Sequence, residues 1–197
     1  NRVQKFAPDH TFLLEWGTVG SGNGEFQEVT GSVDARTERV YVTDIGNRVQ
    51  VFDLDGNFLD KWGSTGTTPS KFRYPTDVAV DSSGNVYIAE EQGHRVQKFD
   101  QYGAFLNSTG TSGTMEGDFS EIFAIAVDAG DNLFIADFLN NDIKILAPDG
   151  SLIGIIDTID GPIREPSGLA VGPDGALYLV EEGNNRILKL QLPPLGV

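Results

Sequence analysis

The sequence predicts an all-β protein built from a repeated unit of four short antiparallel strands, and three observations predict it. A phrase close to "NRVQKF" returns at Asn1–Phe6, Asn47–Phe52, His94–Phe99, Asn141–Leu146 and Asn185–Leu190, so its first residue recurs every 44 to 47 residues. Each interval holds four apolar runs of about five residues rich in Val, Ile, Leu, Phe and Tyr, which is the signature of strands rather than helices. The runs are separated by Gly, Asp, Asn and Pro, residues that tolerate positive φ or close local turns, as hairpin connections require.

The elements follow in a fixed order. The first strand of each unit ends in a Val-Asp pair, at Val33–Asp34, Val80–Asp81 and Val127–Asp128, with Val171–Gly172 in the fourth copy. Turns such as "DSSGN" (Asp81–Asn85), "DAGDN" (Asp128–Asn132) and "GPDGA" (Gly172–Ala176) lead into the second strand. That strand reads Val40–Asp44, Val86–Glu90, Leu133–Asp137 and Leu177–Glu181. The recurring phrase is the third strand. Turns at Asp53–Asn57 and Ala147–Ser151 then reach a fourth, which opens at Phe12–Leu13, Phe58–Leu59, Phe105–Leu106 and Leu152–Ile153. Four antiparallel strands per unit of about 45 residues suit a radial β-propeller, whose blades bury their faces against one another.

Two stretches carry a family resemblance. "P-x-G-L-A-V…D-G-x-L-Y-L-V-E…N-R-I-L-K-L" at Pro166–Leu190 and "WGSTG…KFRYPTDVAVDSSGNVYIAEEQGHRVQKF" at Trp62–Phe99 resemble the NHL repeat, and the likeness extends over essentially the whole chain. The resemblance implies a six-bladed ring. The chain supplies about four blades' worth: outer strands of a partial blade in 1–17, full blades in 28–63, 75–110 and 122–157, and a last partial blade in 167–190. Together 1–190 form one NHL-type propeller, followed by a tail in 191–197 whose Pro193 and Pro194 cannot continue a central ladder. Part of a six-bladed ring is preferred to a closed four-bladed one. The chain opens inside a repeat, so further blades are expected upstream.

Composition narrows the function classes. With 14 basic and 29 acidic side chains, the net charge of −15 repels phosphate backbones and argues against nucleic-acid binding. An acidic surface also suits a basic partner. No apolar run is long enough for a spanning helix, so membrane insertion is not expected. The absence of cysteine removes disulfides and thiolate chemistry. An extracellular or cell-envelope setting is expected from this composition and from where bacterial and archaeal members of the family occur.

Propellers bind ligands where the loops from fourth to first strand meet those from second to third around the channel mouth. Candidate ligand-binding residues there are the loop acids Asp44, Glu90, Asp137 and Glu181, together with Phe72, Asp77 and the adjacent Glu91 and Glu182. The acids recur blade after blade, which points to blade geometry, yet a carboxylate ring could hold Ca²⁺. A charge-assisted contact from Arg48, Arg95 and Arg186 to these acids would explain the repeated phrase. Asp142 replaces Arg in the third full copy, so that blade is expected to lack the contact. Phe26, Phe72 and Phe119 share one position and are expected to plug the seams between blades. Asp77 breaks the repeat, since its equivalents are Thr30, Ala124 and Gly168, and it is the candidate calcium ligand. "DLDG" (Asp53–Gly56) has a calcium-loop look, but its equivalents lack the first acid and a turn is expected. His10 and His94 hold different repeat positions, so no shared histidine metal site is expected. The leading functional expectation is a non-enzymatic scaffold that presents channel-mouth loops to a protein or other ligand and requires no cofactor. The alternative is a Ca²⁺-dependent, lactonase-like hydrolase or lyase using the mouth carboxylates.

Overall fold

The computed structural model describes residues 1–34 and 37–191, so most of the expected C-terminal tail lies outside the described residues. Every regular element among them is a strand. A two-stranded sheet comes first, β1 (Val3–Phe6) with β2 (Phe12–Trp16). A short parallel pair follows, β3 (Thr18–Val19) with β4 (Glu25–Phe26). Blade A is β5 (Val29–Asp34), β6 (Arg39–Asp44), β7 (Arg48–Asp53) and β8 (Phe58–Trp62). Blade B is β9 (Pro75–Val80), β10 (Val86–Glu90), β11 (Arg95–Phe99) and β12 (Phe105–Thr109). Blade C is β13 (Ile122–Val127), β14 (Leu133–Asp137), β15 (Asp142–Leu146) and β16 (Leu152–Ile156). Blade D contains β17 (Pro166–Val171), β18 (Leu177–Glu181) and β19 (Arg186–Leu190). Within every blade the strands are antiparallel in chain order, and β5, β9, β13 and β17 lie side by side as the inner strands.

The second strands show why the blades stack. All five residues of β10 and of β14 are buried, because each strand is covered on both faces. One face of blade A (Tyr41, Val49, Val51 and Trp62) packs on Val78, Val86, Ile88 and Phe99 of blade B. The other face of blade B (Ala79, Tyr87, Ala89 and Val96) packs on Ile125, Leu133, Ile135 and Leu146 of blade C. Phe134, Ile143 and Ile145 then meet Leu177 and Leu179 of blade D. Phe26, Phe72 and Phe119 are fully buried at the three loop ends, as expected of seam plugs. Phe72 lies directly against Gly63, whose φ of +100° and lack of a side chain admit the ring.

The outer part of two seams holds an indole. Trp16 lies over Gly56 and Trp62 over Gly103. At the third seam the equivalent residue is Thr109, which faces Gly150 and leaves a small cavity lined by Tyr87, Val96, Lys98, Leu133 and Leu146.

Turn chemistry closes each hairpin. Asp53 Oδ1 accepts the N–H groups of Asp55 and Asn57, and Asp81 Oδ1 accepts those of Ser83 and Asn85. "DLDG" is therefore a turn. The first residue of the recurring phrase has a reason of its own. Asn47, His94, Asn141 and Asn185 all have φ between +50° and +61°, where Asn is tolerated better than most residues. Asn1, Asn47 and Asn141 also reach the next blade, accepting the N–H of Glu28, Tyr74 and Glu165 just ahead of its inner strand. His94 instead directs Nδ1 to the Ser120 carbonyl.

Candidate functional site

The four loop acids end the second strands and are almost completely buried, at 0 to 1% exposure for Asp44, Glu90, Asp137 and Glu181. Each is engaged inside its own blade. Asp44 pairs with Arg48 at 3.0 Å, Glu90 with Arg95 at 2.6 Å, and Glu181 with Arg186. Glu90 and Glu181 also accept the N–H groups of Arg73 and Arg164, which ties the preceding loop to the blade. The arginines complete the tie by donating to loop carbonyls, Glu25 for Arg48 and Lys71 for Arg95. Bonds from Arg186 and Asn184 hold the Glu181 carboxyl below the usual range, although burial opposes them.

Blade C departs from the expectation that it would lack this contact. Lys144 enters from two residues further along β15, placing Nζ 2.9 Å from Asp137 and 2.7 Å from Asp142. It stands where blades A and B have Gln50 and Gln97, so the cation has moved by two positions and the anion has kept its partner. Two residues apart on a strand point to the same face, which makes the exchange possible.

Asp77 sits on β9 beside the inner strand of blade C. One carboxylate oxygen accepts the N–H of Val78, and the other accepts the N–H of Ile125 at 2.9 Å. Burial pushes its pKa up to about 6 against the lowering effect of these two bonds. Asp77 thus links two inner strands. Among the described residues no three His, Cys or acidic side chains converge as a metal site. Phe72 is fully enclosed in its seam.

The structure assembles a different set at the channel mouth. A bulge between Ile122 and Ala124 lifts Phe123 out of the ladder, and its ring lies 4.5 Å from that of Phe138. Phe138 is fixed by its N–H to the Glu121 carbonyl, a bond repeated by Ile45 to Gln27, Glu91 to Tyr74 and Glu182 to Glu165. These bonds place Ile45, Glu91, Phe138 and Glu182 at one level around the mouth. The half-buried Glu91 carboxyl is pushed up, first by burial and then by Glu121 across the seam, with His94 opposing. Exposed Glu28, Glu165 and Glu182 continue the acidic rim. The aromatic pair is partly exposed, and Phe138 is bonded through its backbone to Glu121, whose carboxylate interacts with that of Glu91. Sequence reasoning missed the pair; its signal was the departure of Phe123 from Thr76 and Ser167, and of Phe138 from Ile45, Glu91 and Glu182.

Radial four-stranded sheets with adjacent inner strands define the class as a β-propeller. Residues 72–99 match the family model of the NHL repeat, so the chain carries an NHL repeat within a propeller arrangement. No curated protein matches its sequence. Among solved structures, virginiamycin B lyase from Staphylococcus aureus superposes with a TM-score of 0.64 at 16% identity, covering 98% of this chain and 63% of the lyase. A protein of unknown function from Bacteroides caccae gives a TM-score of 0.64 at 14% identity over 100% of this chain and 67% of the other. The WD40 propeller domain of Doa1 gives 0.64 at 12% identity, covering 94% and 56%. At these identities the likeness concerns the fold alone. The chain spans slightly less than two thirds of the lyase's length.

Proposed function

We propose that this propeller is a non-enzymatic binding scaffold whose channel mouth takes a protein segment bearing a Lys or Arg side chain. The observation that carries this reading is the Phe123–Phe138 pair beside Glu91 and Glu121. Ring faces attract a cation, and carboxylates neutralise it. Rigid blades hold the loops in place, so little ordering entropy opposes binding. The acidic total charge would steer such a partner from a distance. An extracellular or envelope setting is part of the same proposal, supported by the acidic, cysteine-free composition.

The likeness to a lyase supports no catalytic assignment. Asp44, Asp77, Glu90, Asp137 and Glu181 are tied into ion pairs or backbone bonds.

A peptide array tests the proposal. Peptides carrying Lys or Arg should be retained over matched neutral and acidic ones, with retention falling steeply between low and high salt. Phe138→Ser should abolish the preference. Equal retention of all charge classes, or retention indifferent to Phe138→Ser, would overturn it.

A further inference from the structure

Most arginines of the molecule are committed to partners. Arg2, Arg48, Arg95 and Arg186 pair with acids, and Arg39 donates to the Gln101 carbonyl. Among the described residues, Arg73 and Arg164 are the arginines whose guanidinium has no hydrogen-bond or ion-pair partner, and both are exposed. They hold one repeat position at the mouth, filled elsewhere by Gln27 and Ser120. The buried carboxylates of Glu90 and Glu181 accept their backbone N–H groups, so both side chains start from fixed points.

Arg164 differs from Arg73 in its surroundings. It borders an open recess with Asn141, Pro162, Glu165 and Gly183. Gly183 stands where the turns of blades B and C carry Gln92 and Leu139, and a side chain there would meet Arg164 Cβ at 2.8 Å. The recess adjoins the aromatic pair. Phe138 and Asn141 open and close one turn, so their Cα atoms lie no more than about 11 Å apart. Asn141 accepts the Glu165 N–H at 2.8 Å, which pins the recess to that turn. Between the two, Leu139 is 53% exposed.

We infer that the partner segment carries an Asp or Glu side chain within about three residues of its Lys or Arg, and that Arg164 determines this specificity. The inference rests on the binding role proposed for the mouth. From a basic side chain on the rings of Phe123 and Phe138, an extended segment would cross Leu139 and reach the recess in about three residues. There Arg164 can donate two parallel N–H bonds to a carboxylate. Glu165, Glu182 and the net charge of −15 all disfavour an anion at that point. A preference for an acid must therefore come from direct contact with Arg164.

Fluorescence anisotropy with labelled peptides of equal length and equal net charge tests this. One peptide carries Glu two residues from its Lys, and the other carries it at the far end. The wild type should bind the first at least about threefold tighter. Arg164→Gln should erase the preference and Arg73→Gln should keep it; both leave the backbone bonds to Glu181 and Glu90 in place. Equal binding of the two peptides by the wild type would overturn the inference. So would a preference that survives Arg164→Gln, or one lost equally in Arg73→Gln. A peptide with Gln in place of Lys, bound by the wild type as tightly as its parent, would instead overturn the binding role of the mouth itself.

Discussion

Lys144 Nζ bridges Asp137 at 2.9 Å and Asp142 at 2.7 Å in a site where its side chain is 2% exposed. Blades A and B solve the same problem with Arg48 and Arg95, two positions earlier on the third strand. Lys144→Ala leaves the buried Asp137 without a cation beside a second carboxylate, and should cost about 3–5 kcal/mol. The double variant Asp142→Arg, Lys144→Gln rebuilds the arrangement of blade A, where Asp44 pairs with Arg48 beside Gln50, and should return to within about 1 kcal/mol of the wild type. Urea denaturation of the three proteins measures this directly.

The position of Asn47 separates backbone conformation from hydrogen bonding. Its φ is +61° and its side chain accepts the Tyr74 N–H at 2.8 Å. Asn47→Gly keeps the backbone at ease and loses only the side chain's bonds, from the Tyr74 N–H and to Thr65 Oγ1, which should cost about 1–2 kcal/mol. Asn47→Ala loses both and should cost about 1 kcal/mol more. Thermal melts that rank the two variants in the opposite order would exclude this account.

Asp77 predicts a pH effect of unusual sign. Its folded pKa, near 6, lies above the ordinary carboxylate value of 3.8, so the folded protein holds the proton more tightly than the unfolded chain. Its contribution is fully present below about pH 4 and is lost as pH rises through about 6. The whole effect is at most about 3 kcal/mol. Asp81 and Glu181, whose values are lowered, act oppositely and withdraw stability as pH falls below about 4. Stability should therefore rise between pH 7 and 5 and then fall. Glu91 and Asp142, also pushed up by burial, act in the same direction, so Asp77→Asn should shrink the rise rather than abolish it, which chemical denaturation across that range will detect.

Thr109 leaves a gap where Trp16 and Trp62 fill the neighbouring seams. Thr109→Trp should seat an indole over Gly150 and stabilise by about 1 kcal/mol. For a chain of this size that raises Tm by about 2–4 °C. A lowered Tm would mean that the seam between blades B and C has closed too far to admit the ring.

The sequence made the strands and their order legible because apolar runs, turn residues and repeat length all pointed to one architecture. The seam role of Phe72 and the turn at Asp53 were legible for the same reason. The ion pair in blade C was not, since Asp142 was weighed without Lys144, two residues away on the same strand face. The bond from Asn47 to the next blade was also hidden, because periodicity marks a position without revealing what its side chain touches. Asp77 did break the repeat, but its partner is a backbone N–H in the next blade. The aromatic pair of the mouth required the bulge that turns Phe123 outward, and such a bulge has no signature in the order of apolar residues.

The proposed binding surface is the mouth bearing Phe123 and Phe138. Hydrogen exchange of the protein, alone and with the lysine- or arginine-bearing peptide best retained on the array, tests it most directly. The account predicts added protection at residues 73–74, 91–94, 120–123 and 138–141, with the turns near Ser82, Asp131 and Pro173 at the opposite mouth unchanged. Protection confined to those opposite turns would contradict it.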